Sequence, residues 1–239
     1  MISLAVLLTC FNRCQKTLEC LEALSHQSLS SEVKLHIYLV DDGSTDGTSE
    51  AVRKAHPSVH MIQGNGHLFW TGGMRLAFSN ASQQHHDYYL WLNDDTILYP
   101  NALDTLLKTA QALSKDNINR AIIVGSTQDP ETGKLTYGGL DRVSWLFPCR
   151  FDWIEPGEES KSCDTMNGNC VLIPNQIAEI VGELEPIFSH YAGDFDYGLR
   201  ATKAGCSVWV APGYVGTCPF NDPKTRVKSA SLKQQFQQL

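Results

Sequence analysis

The first half of the chain alternates short apolar runs with segments whose apolar side chains recur at helical spacing. Between the first two runs, Cys14, Leu18, Leu21 and Leu24 share one face of a predicted helix. Strand and helix in alternation predict an α/β domain with a mostly parallel central sheet that is flanked by helices. The apolar runs predict β-strands at residues 2–8, 33–40, 59–62, 87–93 and 121–125.

Local signals place further helices in this half of the chain. Ser44 and Thr45 are residue types that cap helices, and they predict a helix that runs to Ala55. Pro is frequent in the first turn of a helix, so Pro100 is expected to begin the next one. The remaining helices of this half are predicted at residues 71–82 and 100–113.

The second half of the chain is less regular. Residues 128–163 are rich in Gly, Pro and turn-forming residues, which predicts hairpins or an ordered loop. Strands are then predicted at residues 169–174 and 208–211, and helices at residues 175–184 and 193–205. Gly205 is suited to the position that follows a helix C-terminus. No repeat or linker interrupts this pattern, so residues 1–239 predict one continuous domain.

Composition narrows the class of protein. With 42% hydrophobic and 19% charged residues, a chain of 239 residues is expected to fold around a substantial core. The formal net charge of −7 argues against a nucleic-acid partner, which requires a basic surface. The apolar start is too short to cross a bilayer and resembles a first strand, so a cytoplasmic location is expected.

The eight cysteines do not suggest a metal site or a disulfide framework. None is spaced as a C-x-x-C pair, and several lie inside apolar runs. Reduced, buried thiols in a cytosolic protein are therefore the favoured interpretation.

The C-terminal segment, residues 221–239, is a basic tail. A solvated chain terminus is the simpler interpretation of this tail. The alternative is peripheral contact with an acidic lipid surface at the inner face of a membrane, because apolar residues are interleaved with the cations. Its cationic side chains are Lys224, Arg226, Lys228 and Lys233, against the single acid Asp222.

Polar segments follow four of the predicted strands, where ligands of open α/β sheets bind. Such segments meet at one edge of a parallel sheet, so we expect them to form one crevice. Its carboxylates are hard oxygen ligands of the kind that Mg²⁺ or Mn²⁺ binds together with substrate phosphates. The segments are residues 9–13, 41–46, 64–67 with 70–73, and 93–95.

Each of these segments also has a simpler interpretation. The "DDGSTDGT" segment is a good turn and helix cap, and two Asp residues at a strand end are common in turns. Gly72 and Gly73 are compatible with close packing of a helix on a sheet. Taken together on one sheet edge, the segments favour a binding site over a set of unrelated turns.

A second acidic segment, "GDFDYGLR", lies in the second half. Asp194 and Asp196 stand in the first turn of a predicted helix, where the helix dipole favours carboxylates. Arg200 follows Asp196 by four residues and is expected to pair with it. Asp194 would then be left as a proton acceptor.

In chain order, these segments resemble the family 2 glycosyltransferases with a GT-A fold. The resemblance runs from residue 2 to about residue 212, and "GNGHLFWTGG" resembles the rhamnosyltransferase-like members. It implies a nucleotide-sugar-binding half over residues 1–125 and an acceptor half with the catalytic base over residues 126–220. The motifs are "LLTCFNR", "VDDGSTDGT", "WTGGMRLAF", "LWLNDDTIL", "MNGNCVLIP" and "GDFDYGLRATKAG".

The resemblance also implies roles for individual residues. Asp95 would bind a divalent cation, Mn²⁺ or Mg²⁺, and Asp94 would face the ribose or the sugar. Asp194 would be the general base of an inverting single displacement onto a saccharide or lipid-linked acceptor. Residues of the acceptor side or of its support would be Asn167, His190, Asp196 and Arg200. The nucleotide-sugar would contact Thr9, Phe11, Asn12, Asp41, Asp42, Trp70, Gly72, Gly73 and Asp94.

This chain departs from the family pattern at three places. Asn93 replaces the first acid of the D-x-D motif, and Gly193 replaces a Glu before the base. Where many relatives have a metal-binding His, residues 215–218 read "VGTC". Two other functions remain open: a nucleotidyltransferase, which would normally carry a Gly-rich loop after the first strand, and a non-catalytic nucleotide-sugar or glycan-binding module.

Overall fold

A computed structural model describes residues 1–144, 146, 150–189 and 192–221. The helices are α1 (Cys14–Ser25), α2 (Thr48–Ala55), α3 (Phe69–Ala81), α4 (Ala102–Lys115), α5 (Asn175–Val181) and α6 (Gly193–Lys203). The strands are β1 (Ile2–Cys10), β2 (Val33–Asp41), β3 (His60–Gln63), β4 (Tyr88–Leu92), β5 (Ile97–Leu98), β6 (Ala121–Gln128), β7 (Leu135–Tyr137), β8 (Gly139–Arg142), β9 (Phe151–Trp153), β10 (Lys161–Cys163), β11 (Thr165–Met166), β12 (Cys170–Pro174) and β13 (Ser207–Thr217).

One large sheet organises the described residues. Its main order is β10, β13, β6, β12, β4, β1, β2 and β3, while β5 pairs with β13 and β7 with β6. Strands β1 to β4 pair in parallel, and β13 pairs in parallel with β6. Strand β12 runs antiparallel to both of its neighbours, so β4 and β6 point the same way. The predicted α/β fold with a mostly parallel sheet is confirmed, and the reversed strands come from the less regular second half.

Both faces of the sheet are buried, which explains why the first strand is apolar without alternation. Leu4, Val6 and Leu8 of β1 pack in a cluster with α1, α2 and α4. Ala5 and Leu7, on the other face, pack in a cluster with α3, α5 and α6. The sheet therefore holds the polar segments at its carboxyl edge between two layers of helices.

The cap predicted for the second helix is wrong. Helix α2 begins at Thr48 after Gly47, whose φ of +83° suits glycine, rather than after Ser44 or Thr45. The carboxylate of Asp46 accepts hydrogen bonds from the backbone N–H groups of Thr48 and of Cys14, the first residue of α1. Asp46 thus fixes the start of two helices at once.

The turn-rich second half forms hairpins, as predicted. Strands β8 and β9 pair antiparallel, and with β11 they form a separate three-stranded sheet. Strand β13 is longer than the sequence predicts, and its end pairs with β5 directly after the acidic segment at residues 93–95. This pairing fixes the part of the chain that follows the acidic segment.

Other predicted features fall at or near their expected positions. Gly205 follows α6 with a φ of +82°, as predicted. The seven cysteines that the structure describes are free thiols, whereas Cys149 lies outside the described residues.

No helix among the described residues is long and apolar enough to cross a membrane. The basic cluster of the tail, residues 222–239, lies outside the described residues.

Candidate functional site

A cavity of about 470 Å³ opens at the carboxyl edge of the sheet. Its wall combines segments that follow β1, β2, β3 and β4 with the start of α6, so the predicted convergence of the four segments is observed. We call it the central cavity. It is lined by Thr9, Cys10, Phe11, Arg13, Asp42, Gly66, Phe69, Trp70, Asn93, Asp94, Asp95, Tyr137, Trp153, Asn167, Gly168, Asn169, Ala192, Asp194, Phe195, Phe220 and Asn221.

Asp94 and Asp95, the acidic pair, lie in the floor of the central cavity. Atom Nη1 of Arg13 lies 3.0 Å from Asp94 Oδ1 and 2.9 Å from Asp95 Oδ2. The Arg13 side chain is 31% exposed, whereas the two acid side chains are almost fully buried. Burial raises the pKa of Asp94 to about 6, although the nearby Arg13 cation acts to lower it.

The other contacts of Asp95 come from the end of the described chain. Cys218 donates its thiol to Asp95 Oδ1 at 3.6 Å, and Asn221 donates its amide to Asp95 Oδ2 at 3.3 Å. Burial, together with the Asp95 charge, raises the pKa of Cys218 to about 12, so this thiol stays protonated at neutral pH. Cys218 therefore acts as a weak hydrogen-bond donor to Asp95.

The acidic pair fits a hard divalent cation only in part. Within the described residues, no group of three or more His, Cys, Asp or Glu side chains is arranged to hold a metal ion. Two carboxylates are nevertheless the usual protein contribution to a Mg²⁺ site that is completed by substrate phosphates. The pair fits such an ion together with a diphosphate, provided that the guanidinium group of Arg13 moves away from the two carboxylates.

Asp42 joins the wall of the cavity to the start of α3. Its Oδ1 accepts a hydrogen bond from the N–H of Gly66 at 2.8 Å, and its Oδ2 accepts from Leu68 and Phe69 at 2.8 and 3.1 Å. A Cβ at Gly64 would lie 2.5 Å from Asp42 Oδ1, so the loop can approach the acid this closely only with glycine there. The carboxylate therefore fixes the loop that leads into α3.

Asp41 and Asn12 lie outside the cavity wall and hold its loops together. Asp41 accepts hydrogen bonds from the N–H of Ser44 and from the hydroxyl of Ser49. Asn12 accepts a hydrogen bond from Thr45 N–H at 2.8 Å, and its φ of +51° is left-handed. Contacts of these two side chains with a nucleotide stay predictions, whereas Thr9 and Phe11 do reach the cavity wall.

Helix α3 brings Trp70 to the cavity but not the two glycines. Trp70 Nε1 donates a hydrogen bond to Asn93 Oδ1 at 2.7 Å, and the Trp70 ring contacts Trp91 edge-on. A Cβ on Gly73 would overlap the Thr9 hydroxyl, and one on Gly72 would crowd Leu68. The simpler interpretation, close packing of helix on sheet, therefore accounts for Gly73, and contact of either glycine with the nucleotide-sugar stays a prediction.

Asp194 opens α6 on the opposite side of the cavity. Its Oδ2 accepts a hydrogen bond from Gly168 N–H at 2.8 Å, and its Oδ1 accepts from its own helix at Phe195 N–H, 2.9 Å away. Burial raises the pKa of Asp194, and these two hydrogen bonds offset part of that rise. The carboxylate is thus fixed in orientation and made more basic than an exposed Asp.

Of the remaining predicted residues, one lines the cavity and two form an ion pair outside its wall. Asn167 lines the cavity and accepts a hydrogen bond from Trp153 Nε1 at 3.0 Å. The predicted pair forms, because Arg200 Nε donates to Asp196 Oδ2 at 2.7 Å. Arg200 also donates to the carbonyl groups of Val181 and Glu183, so it ties the end of α5 to α6 outside the cavity wall. His190 lies outside the described residues.

Several cavity residues were not predicted from the sequence. Arg13 belongs to the segment that was expected at the crevice, but its pairing with acids about eighty positions further along the chain was not predicted. Trp153 and Phe220 are nearly half exposed, and their rings contact each other 5.8 Å apart. The only sequence signal for Trp153 was an aromatic residue within a turn-rich segment. These rings give the Asp194 side of the cavity an aromatic wall.

The chain matches one family description over more than half of its length. Residues 5–151 match the family described as "Glycosyl transferase family 2". This match covers most of β1 and the elements from α1 to β8, and with them Thr9, Asp42 and the acidic pair. Asp194 lies beyond the matched residues.

Individual relatives agree with this match. Two proteins of Mycobacterium tuberculosis, from strains CDC 1551 / Oshkosh and ATCC 25618 / H37Rv, are each 24% identical over 213 residues. The alignment covers 78% of this chain and 67% of each relative. Both are described as N-acetylglucosaminyl-diphospho-decaprenol L-rhamnosyltransferase.

Among solved structures, residues 1–349 of S. aureus TarS have a similar fold. The TM-score is 0.61 at 13% sequence identity, over 91% of this chain. The chain spans 60% of that TarS structure. At this identity the similarity establishes the fold alone.

Proposed function

Because the chain belongs to glycosyl transferase family 2, we propose that it transfers a sugar from a nucleoside-diphosphate sugar to an acceptor hydroxyl, with Asp194 as general base. The single observation that supports this best is the composition of the central cavity. Asp42, the acidic pair and Asp194 all line it. Donor and acceptor can therefore meet in one cavity.

We propose a deoxyhexose such as L-rhamnose as the transferred sugar and a lipid-linked saccharide as the acceptor. The descriptions of both Mycobacterium tuberculosis relatives support this choice. The aromatic wall agrees with it, because the apolar face of a sugar ring can pack on Trp153 and Phe220. Asn167 and Gly168 are consecutive, and they bind Trp153 and Asp194 respectively, so this wall adjoins the base.

The nucleoside would occupy the opposite end of the cavity. Thr9, Phe11 and Asp42 line the cavity there, and Trp70 donates a hydrogen bond to Asn93, the residue before the acidic pair. The three backbone N–H groups on Asp42 occupy only part of its acceptor capacity, since a carboxylate has about four lone-pair sites. Asp42 can thus fix its loop and still accept a hydrogen bond from a base or a ribose.

Asp194 would accept the proton of the acceptor hydroxyl as that oxygen bonds to the anomeric carbon of the sugar. The bond between this carbon and the diphosphate oxygen breaks in the same step, and the diphosphate leaves with the electron pair. Attack from the side opposite the leaving group inverts the anomeric configuration. General-base assistance of this kind typically contributes about 10²–10⁴-fold to the rate.

Family 2 enzymes generally use divalent cations. We propose that Asp95, together with Asp94, would hold Mn²⁺ or Mg²⁺ when a diphosphate is present. A cation bound there would offset the negative charge that develops on the leaving diphosphate. The protein itself contributes the buried carboxylates and, in Arg13, a positive charge beside them.

The two alternative functions have less support. A nucleotidyltransferase is disfavoured by the family match, and a non-catalytic module has no evident use for a carboxylate held as Asp194 is. The cytoplasmic location and the membrane contact of the tail stay predictions, since residues 222–239 lie outside the described residues.

A transfer assay tests the proposal. The protein would be incubated with UDP-, GDP- or dTDP-linked sugars and a short-chain, diphosphate-linked N-acetylglucosamine acceptor. Release of nucleoside diphosphate is then measured with and without acceptor. We expect one donor to give acceptor-dependent release and a glycosylated product by mass spectrometry. Donor binding without any release, with acceptor present, would instead favour the binding module.

A further inference from the structure

Arg13 occupies the position between the two carboxylates of the acidic pair. It is the residue before α1, and one nitrogen of its guanidinium group, Nη1, lies within 3.0 Å of an oxygen of each acid. Among the described residues, the salt bridges of Asp94 and Asp95 are made with Arg13 alone. A single positive group therefore bridges the two carboxylates, as a bound cation would.

This arrangement has a direct physical cause. Two adjacent carboxylates with almost no solvent exposure repel each other and are costly to bury without a positive partner. The other contacts of the pair are neutral donors: Thr17 to Asp94, and Cys218 and Asn221 to Asp95. Arg13 thus supplies the positive charge that the pair requires when no ligand is present.

The same arrangement makes Arg13 and a divalent cation mutually exclusive. Mg²⁺ binds oxygen ligands at about 2.0–2.1 Å. Nη1 already lies about 3 Å from one oxygen of each acid, so an ion that bridges them would overlap with Nη1 and be repelled by its charge. The ion can bridge the acidic pair only after the guanidinium group has moved away.

We propose that Arg13 is an internal competitor of the divalent cation, and that the donor diphosphate relieves this competition by taking over the guanidinium group. Arg13 lines the same cavity and is about one-third exposed, so its side chain has room to turn. A guanidinium group binds phosphate oxygens with paired hydrogen bonds. The cation and the diphosphate then bind cooperatively, and each binds weakly alone.

Only the nature of the diphosphate ligand rests on the proposed function. The competition between Arg13 and a cation follows from the contacts of the acidic pair and can be measured without any sugar transfer. A protein that binds Mn²⁺ as described below but transfers no sugar would contradict the proposed function and leave the competition intact.

The decisive experiment measures Mn²⁺ binding to the whole protein without nucleotide. The electron paramagnetic resonance signal of free Mn²⁺ is followed at about pH 8. The wild type should bind Mn²⁺ weakly, and Arg13→Gln should bind it about tenfold more tightly or better. If Arg13 only supported the structure of the site, its replacement would not raise the affinity for Mn²⁺. Equal or weaker binding by the variant would overturn the proposal.

Arg75→Gln is the matched control for the change in net charge. Arg75 makes an exposed ion pair with Glu183 at 3.2 Å and lies outside the wall of the central cavity. Its replacement should leave the Mn²⁺ affinity within about twofold of the wild type, because exposed charges are screened by solvent. An increase equal to that of Arg13→Gln would mean that net charge explains the effect, and would overturn the proposal.

A second arm adds UDP, GDP and dTDP in turn. The best of these nucleotides should raise the Mn²⁺ affinity of the wild type by about tenfold or more, and that of Arg13→Gln much less. An equal increase of the Mn²⁺ affinity in both proteins would overturn the proposal that the Arg13 side chain moves to the diphosphate. So would the absence of any increase in the wild type with all three nucleotides.

A measurement on the wild type covers the case in which Arg13→Gln fails to fold. The side-chain Nε–H resonance of Arg13 is followed by ¹⁵N NMR and assigned by its absence in Arg13→Lys. Addition of Mg²⁺ with the best of the three nucleotides should shift this resonance. An unchanged resonance under conditions in which both ligands bind would contradict the proposal.

Discussion

Replacement of Asp194 by Asn changes both the chemistry and the local hydrogen bonding of the proposed base. An amide is not basic, so it cannot take the proton of the acceptor hydroxyl. We expect kcat to fall by about 10²–10⁴-fold, the usual contribution of a positioned base. Donor affinity should change little, since the acidic pair and Asp42 are untouched.

The same substitution has a cost in stability that the structure lets us estimate. The two Asp194 oxygens accept separate backbone hydrogen bonds, from Gly168 at 2.8 Å and from Phe195 at 2.9 Å. Asn can accept only one of them, because its amide nitrogen would face the other N–H group. A donor left without a partner costs about 1–3 kcal/mol when buried. In a chain of this length, each kcal/mol corresponds to about 2–4 °C in Tm.

Asp46→Asn separates these two effects. Asp46 also accepts backbone hydrogen bonds on both oxygens, from Cys14 and Thr48, but it lies outside the cavity wall. Because Asp46 is exposed, water can replace the lost hydrogen bond, so this variant should lose less stability than Asp194→Asn and retain kcat within about tenfold of the wild type. Tm by calorimetry and steady-state sugar transfer give the two readouts. The base assignment would be refuted by an Asp194→Asn enzyme with near-normal kcat, or by an equal loss in Asp46→Asn.

Three further predictions concern stability and donor binding. Folding raises the pKa of Asp94 from its ordinary value of 3.8 to about 6. The folded protein therefore binds this proton more tightly than the unfolded chain does, which stabilises the fold at low pH. This contribution to the free energy of unfolding is lost as pH rises from about 4 to 6. Compared with Asp94→Asn in urea titrations, the wild type should therefore lose up to about 3 kcal/mol over that interval, and a constant difference between the two proteins would contradict this. Gly73→Ala places a methyl group on the Thr9 hydroxyl and should lower the free energy of unfolding by about 1–3 kcal/mol. Adding Thr9→Ala should restore part of this loss. An unchanged free energy of unfolding in urea titrations would contradict the close packing of Gly73 on Thr9. Trp70→Phe removes the 2.7 Å hydrogen bond to Asn93 and should weaken donor binding in calorimetric titrations by about fivefold, whereas unchanged binding would place the donor elsewhere.

The parts of the fold that depend on local pattern could be predicted from the sequence. The unbroken apolar run of β1 is explained by burial on both faces of the sheet, and the periodicity of α1 is explained by the single face that it buries. The segments after β1, β2 and β4 meet because parallel strands share a carboxyl edge. Their convergence therefore followed from strand order alone.

Contacts that depend on the path of the whole chain could not be predicted in this way. Residues 9–13 and 93–95 were expected at one crevice, but the pairing of Arg13 with the acidic pair also depends on β1 and β4 being direct neighbours in the sheet. Cys218 reaches Asp95 because β13 is longer than its apolar pattern indicates and pairs with β5. The family resemblance implied that Gly73 contacts the nucleotide-sugar, whereas its position is explained by contact with Thr9 on β1.

The most direct test of the proposed sugar transfer is the anomeric configuration of the product. The enzyme would be supplied with the nucleoside-diphosphate sugar that it uses and with the diphosphate-linked N-acetylglucosamine acceptor. The new glycosidic bond would then be identified by NMR from its anomeric ¹H–¹³C coupling. The proposed single displacement predicts a product of inverted configuration, formed in equal amount with the released nucleoside diphosphate. A product of retained configuration, or nucleoside diphosphate released without a new glycosidic bond, would contradict it.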